Sequence, residues 1–186
     1  MKGIVFTEFF ELVESSFGLQ VADDIIEQSD LTTGVYTAVG TYDYSELVQL
    51  VVQLSQETGV PVSDLIKAFG RYLFGRFTEL YPQFFEGEQS AFDFLATIEN
   101  HIHVEVRKLY PEAELATFDY SYPETDKMFL DYKSNRPFAD LAQGLIGACV
   151  DYFGEPIEIV REDQGQKNGC EARFVLTVRK EAACQA

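Results

Sequence analysis

ENHIHVEVRKLYP, residues 99–111, divides the chain into two kinds of pattern. Before it, apolar residues recur at helical intervals; after it, they alternate. Pro111 has no N–H and biases Tyr110 away from helical angles, so a helix running from about Ser90 to Leu109 ends here. Upstream, Ile4, Phe6, Phe9, Phe10, Leu12, Val13 and Phe17 predict a helix over 4–17, with Gly18 as its stop. A shorter helix is predicted over 20–28. After a polar turn, Ser45 is the expected N-cap of a helix to Thr58, and Ser63 of a helix that Pro82 terminates.

Downstream, LATFDYSY (115–122), KMFLDYKS (127–134), PIEIVRED (156–163) and EARFVLTVRK (171–180) read as strands, rich in β-branched and aromatic residues. A helix over about 137–153 separates the second strand from the third. The polar stretch 164–169, bearing Gly165 and Gly169, suits a hairpin loop. The expected architecture is α+β: a helical N-terminal subdomain packed on a C-terminal, mainly antiparallel four-stranded sheet with helices.

A chain of 186 residues fits one domain with a sizeable core. Its 16 Phe and 10 Tyr suit a core around a flat group as well as an ordinary large one. With 14 basic against 31 acidic residues, the formal charge of −17 argues against nucleic acid and against an anionic membrane surface. Acidic side chains aid solubility and also offer a docking face to a more basic protein. No apolar run approaches the roughly 20 residues that span a bilayer. Glu8, Glu11 and Glu14 interrupt the first apolar stretch, unlike an export signal. Cys149, Cys170 and Cys184 are scattered and odd in number, which suits a reducing compartment. A cytoplasmic protein is expected.

Motifs for common chemistries are missing: no P-loop, no dinucleotide fingerprint, no G-x-S-x-G, no H-E-x-x-H and no C-x-x-C-H. Both histidines lie in the opening stretch, and two residues apart on a helix means about 200° around its axis. They fall on opposite borders of the stripe Leu95, Ile98, Ile102, Val106 and Leu109, so periodicity does not choose between them. His101 has Glu105 four residues on, a plausible surface pair. His103 has Arg107 at that spacing, which favours a neutral, ligating imidazole. A second constellation, Tyr132-Lys133-Ser134-Asn135-Arg136, lies at a strand end, where alternate residues share a face. Two hydroxyls and a guanidinium together suit a carboxylate or phosphate; the plainer alternative pairs Arg136 with a surface Glu.

MKGIVFTEFFELVE, GVYTAVGTYDYSELVQLV, AFGRYLFGRF, IHVEVRKLYP and the Y-x-S-x-R array together resemble the haem-nitric oxide/oxygen binding (H-NOX) family, over nearly the whole chain. These are the bacterial relatives of the soluble guanylate cyclase sensor domain. The resemblance implies one haem domain, with a distal helical subdomain over about 1–65 and a proximal α/β subdomain over about 66–186. Haem b would sit non-covalently between them. His103 matches the proximal iron ligand, and Tyr132, Ser134 and Arg136 the triplet that binds the propionates. Oxygen-binding members carry a distal Tyr nine residues after the Tyr of that triplet; here the position is Leu141, and Phe9 and Leu73 nearby are apolar. Ile4, Phe77 and Leu145 are further candidates for the pocket wall. An apolar pocket implies NO and CO binding without stable O₂, since bound O₂ needs a hydrogen-bond donor.

The resemblance further implies a gas sensor without catalysis, in which weakening or breaking of the Fe–His bond lets the proximal helix shift. The expected reader is a histidine kinase or a cyclic-di-GMP enzyme. Ala116 stands where many members have a haem-bending Pro, thirteen residues after the ligand His. The Cys/His zinc site of some relatives is incomplete here, and Cys170 reads as a strand thiol. Two other classes are a thiol-responsive regulator acting without haem and a haem peroxidase. The second lacks an acid–base group on the distal side.

Overall fold

The computed structural model describes residues 1–31, 34–165 and 169–179. Four helices come first: α1 (Gly3–Phe17), α2 (Leu19–Glu27), α3 (Tyr44–Thr58) and α4 (Val62–Leu80). Gly18, at φ 91°, is the single residue between α1 and α2, a conformation that side chains disfavour. The cap of α3 is Asp43, not Ser45: its carboxylate accepts from the Ser45 N–H at 2.8 Å, where an anion also meets the positive end of the helix. Ser63 is likewise displaced. Pro61, at φ −56°, holds the cap position of α4, and Ser63 lies inside the first turn.

The helix expected over 90–109 begins as predicted, with Ser90 Oγ accepting from Asp93 N–H at 3.1 Å. It then departs from regularity. Between α5 (Ala91–Thr97) and α6 (His103–Leu109), residues Ile98–Ile102 form a π-turn, closed by the His103 N–H donating to the Ile98 carbonyl. The wider turn shifts the angular phase of the residues after it relative to a regular α-helix.

The sheet comprises β1 (Thr117–Glu124), β2 (Lys127–Lys133), β3 (Ile157–Gln164) and β4 (Glu171–Val178), with α7 (Ala139–Phe153) between β2 and β3. Its order is β1-β2-β4-β3, antiparallel throughout. Alternation buries one face: Met128, Leu130 and Tyr132 of β2 lie beside Leu176, Phe174 and Ala172 of β4. β3 and β4 pair in the register of a hairpin; residues 166–168 of the predicted loop, and Cys184, lie outside the described residues.

Two apolar cores result. One joins α5, α7 and the sheet; the other joins α1–α4 and receives Phe138 from just before α7. Helix α4 belongs to both, giving Phe69 and Leu73 to the helical core and Phe74 to the sheet core. Its crossing with α7 is unusually close. A Cβ on Gly144 would lie 2.2 Å from the Lys67 carbonyl oxygen, and one on Gly70 would lie 2.4 Å from that of Leu141. Only glycines permit this approach.

Candidate functional site

A cavity of about 750 Å³ opens between these elements. That is room for a cofactor-sized group. One wall comes from α1, α4 and α7 through Ile4, Leu73, Phe77, Leu141 and Leu145. The cavity is also lined by Leu95, Ile98, Ile102, Val106 and Leu109, the stripe read from the sequence, together with His103. Tyr132, Ser134 and Arg136 line the same cavity. All eight residues singled out from the sequence are thus brought to one space. Phe9 is not among them; its ring packs edge-on against Phe69 in the helical core.

The π-turn separates the two histidines. His103 lines the cavity with its side chain 13 % exposed, while His101 is exposed, edge-on to Phe84. The predicted His101–Glu105 pair does not form: Glu105 instead takes Lys108, three residues on and longer in reach. His103 Nδ1 lies 2.9 Å from Glu99 Oε2, a partner the reading of the sequence missed. The signal was present, since Glu99 precedes His103 by four residues. Arg107 does reach this site, but by bonding Glu99 Oε1 at 3.0 Å.

Burial lowers the His103 pKa from its ordinary 6.5, outweighing the opposing pull of Glu99; Arg107 adds to the lowering. The ring is therefore neutral at pH 7. Burial by itself would raise the Glu99 carboxyl, but hydrogen bonds from Arg107 and His103, and the Phe118 N–H, hold it below its ordinary range. A neutral imidazole beside an ionised carboxylate carries its proton on Nδ1 and leaves the Nε2 lone pair for a ligand.

The polar end is built differently from the predicted strand face. Only Tyr132 is on β2; Ser134 and Arg136 lie in the turn that follows. The Cys170 carbonyl, just before β4, accepts from Ser134 N–H at 2.8 Å, and Ser134 Oγ accepts from Arg136 N–H at 3.1 Å. Burial raises the pKa of the Tyr132 phenol, which keeps it a donor. The Arg136 guanidinium rests over the Tyr44 ring, 5.6 Å from its centre, and bonds Glu114 at 2.7 Å. This is the pairing of Arg136 with a surface Glu that the sequence also allows. Glu114 is 74 % exposed, however, so it holds Arg136 weakly.

Ala116 also lines the cavity. Cys149 borders it too, and burial pushes its thiol pKa up, which keeps it protonated and unreactive. Cys170 is buried, and no cluster of metal-ligating side chains occurs among the described residues. No helix among them is long and apolar enough to cross a membrane.

A cavity lined by an imidazole, by apolar side chains and by two hydroxyls and a guanidinium fits a flat metal macrocycle bearing carboxylates. Comparison with known proteins agrees. The family model described as Haem-NO-binding matches residues 2–161. No curated protein matches the chain in sequence. The unliganded Fe(II) H-NOX protein of K. algicida is 40 % identical over 100 % of both chains, with a TM-score of 0.91. The IWP-051-bound, Fe(II)CO H-NOX of Shewanella woodyi is 41 % identical over 98 % of this chain and 97 % of that one, with a TM-score of 0.83. The Fe(II)NO H-NOX of S. oneidensis is 25 % identical over 97 % of this chain and 100 % of its own, with a TM-score of 0.88. This chain belongs to the Haem-NO-binding, or H-NOX, family of haem-based gas sensors.

Proposed function

We propose that this protein senses nitric oxide through ferrous haem b, held non-covalently with His103 as the proximal ligand. The observation that carries this is the His103 ring, hydrogen-bonded through Nδ1 to Glu99 and lining the same cavity as the apolar side chains of Ile4, Phe77, Leu141 and Leu145. Bound haem would supply a ferrous iron able to bind NO or CO. Everything else falls to the side chains. His103 offers its Nε2 lone pair. Tyr132, Ser134 and Arg136 would hold the two propionates, for which Arg136 would leave the exposed Glu114 carboxylate.

Ile4, Phe77, Leu141 and Leu145 form the distal wall and exclude water. They carry no donor, which supports binding of NO and CO over stable O₂. The Fe(II)NO and Fe(II)CO states of the S. oneidensis and Shewanella woodyi proteins support the same ligand choice. In this reading the distal part covers about residues 1–65 and the proximal part about 66–186. The output is a shift of α6 and the π-turn before it when the hold on His103 loosens. π-turns concentrate at functional sites, which supports this element as the moving part.

The reader of that shift is a cytoplasmic partner, a histidine kinase or a cyclic-di-GMP enzyme, and the chain performs no catalysis itself. Absorption spectra of the reduced protein test the proposal. A Soret band that moves on adding NO, with no stable oxy form in air, is expected. A purified chain that takes up no haem refutes it, and a lasting ferrous-oxy complex refutes the ligand choice.

A further inference from the structure

Glu99 makes more bonds than a surface carboxylate needs. Its Oε2 takes His103 Nδ1 at 2.9 Å and the Phe118 N–H of β1 at 3.4 Å; its Oε1 takes Arg107 Nη2 at 3.0 Å. The side chain is 27 % exposed, and the His103 ring is hemmed on another side by Phe118, 6.0 Å away. Glu99 thus reaches the ring from the π-turn, while Phe118 on the sheet and Arg107 on α6 hold its carboxylate in place. Three donors leave it no freedom to swing to solvent.

We infer that Glu99 is a positioning residue for the iron ligand: its fixed carboxylate accepts the His103 Nδ1–H, sets the tautomer that points Nε2 into the cavity, and makes the imidazole a stronger electron donor. The physical basis is general. A metal-bound histidine donates its other N–H to an acceptor that fixes the ring and raises its basicity, and an anionic acceptor does this more than a neutral one. The geometry adds a consequence specific to this chain. The oxygen that holds the ring also holds the backbone of β1, so a displacement of His103 is transmitted to the sheet through one atom. The inference rests on His103 being the iron ligand.

Glu99→Gln keeps the shape and removes the charge; Glu99→Leu removes the acceptor. In haem-free protein, ¹⁵N NMR of His103 is expected to find the Nδ1–H tautomer in the wild type and a mixture in Glu99→Leu. In the haem-loaded ferrous protein, the iron–histidine stretching frequency falls in both variants, with Glu99→Gln intermediate. The ferric-to-ferrous ratio at fixed potential drops about tenfold in Glu99→Leu, the low end of what such outer partners control. For a one-electron couple that is a rise of about 59 mV in midpoint potential. Unchanged stretching frequency and potential in both variants, at wild-type haem content, overturn the inference. A His103→Ala protein that keeps the wild-type spectrum overturns the ligand assignment instead, so the two failures are distinguishable. Should Glu99→Leu not fold, Glu99→Gln and the NMR readout on the wild type decide.

Discussion

Replacing Gly144 with alanine is the most demanding test of how this cavity is built. The added Cβ would lie 2.2 Å from the Lys67 carbonyl oxygen and 3.0 Å from Gly70 Cα, where ordinary contact begins near 3.4 Å. These are backbone atoms of a packed helix and cannot rotate away. The α4 and α7 axes must therefore separate by about 1 Å at the crossing, an overpacking that costs about 3 kcal/mol. Alanine also favours helix over glycine by about 1 kcal/mol. The net expectation is a loss of about 2 kcal/mol, or roughly 4–8 °C in Tm for a domain of this size. Gly75→Ala is the internal control, because Gly75 lies on α4 with nothing within 4 Å of a Cβ. It should gain about 0.5–1 kcal/mol. Thermal and urea unfolding followed by circular dichroism measure both. A Gly144→Ala protein as stable as Gly75→Ala would refute the close crossing. Leu141 and Leu145 flank Gly144 and line the cavity, so haem affinity should fall in Gly144→Ala and hold in Gly75→Ala.

Further outcomes follow from buried polar groups. Tyr36 donates to Glu46 at 2.6 Å, and Glu46 is only 7 % exposed; Tyr36→Phe leaves that carboxylate short of its donor and should lower unfolding free energy by about 1–2 kcal/mol. His103 in the folded chain has a pKa below its unfolded 6.5, so the unfolded state binds the extra proton first. Stability of the haem-free protein is then complete above about pH 6.5 and falls on acidification. Glu99, also held low, adds a second loss below its ordinary 4.5, and urea midpoints across pH should show the first fall reduced in His103→Gln. Cys149 is buried with its thiol pKa raised, so iodoacetamide should label it only after unfolding; rapid labelling of the native protein would favour the thiol-responsive reading.

Element types were legible in the chain because their periods are intrinsic. Alternation in KMFLDYKS put Met128, Leu130 and Tyr132 on one face, and that face is buried. The apolar stripe Leu95, Ile98, Ile102, Val106 and Leu109 reached the cavity as a set. What escaped depends on departures from regularity or on tertiary partners. The π-turn at Ile98–Ile102 defeats a wheel of constant pitch, so His101 and His103 stayed equivalent until the family motif separated them. Asp43 caps the helix two residues before Ser45 because its charged carboxylate accepts from the Ser45 N–H itself. Arg136 finds Glu114 and the Tyr44 ring only once the turn after β2 folds back, and Gly70 and Gly144 look like ordinary helix glycines until their helices meet.

Whether His103 holds the iron is read most directly from the ferrous absorption spectrum of His103→Gly with and without added imidazole. The wild-type ferrous spectrum is expected to be lost in the variant and restored by imidazole entering the space the side chain vacates. A His103→Gly protein that keeps the wild-type spectrum without imidazole would overturn the assignment of His103 as the iron ligand.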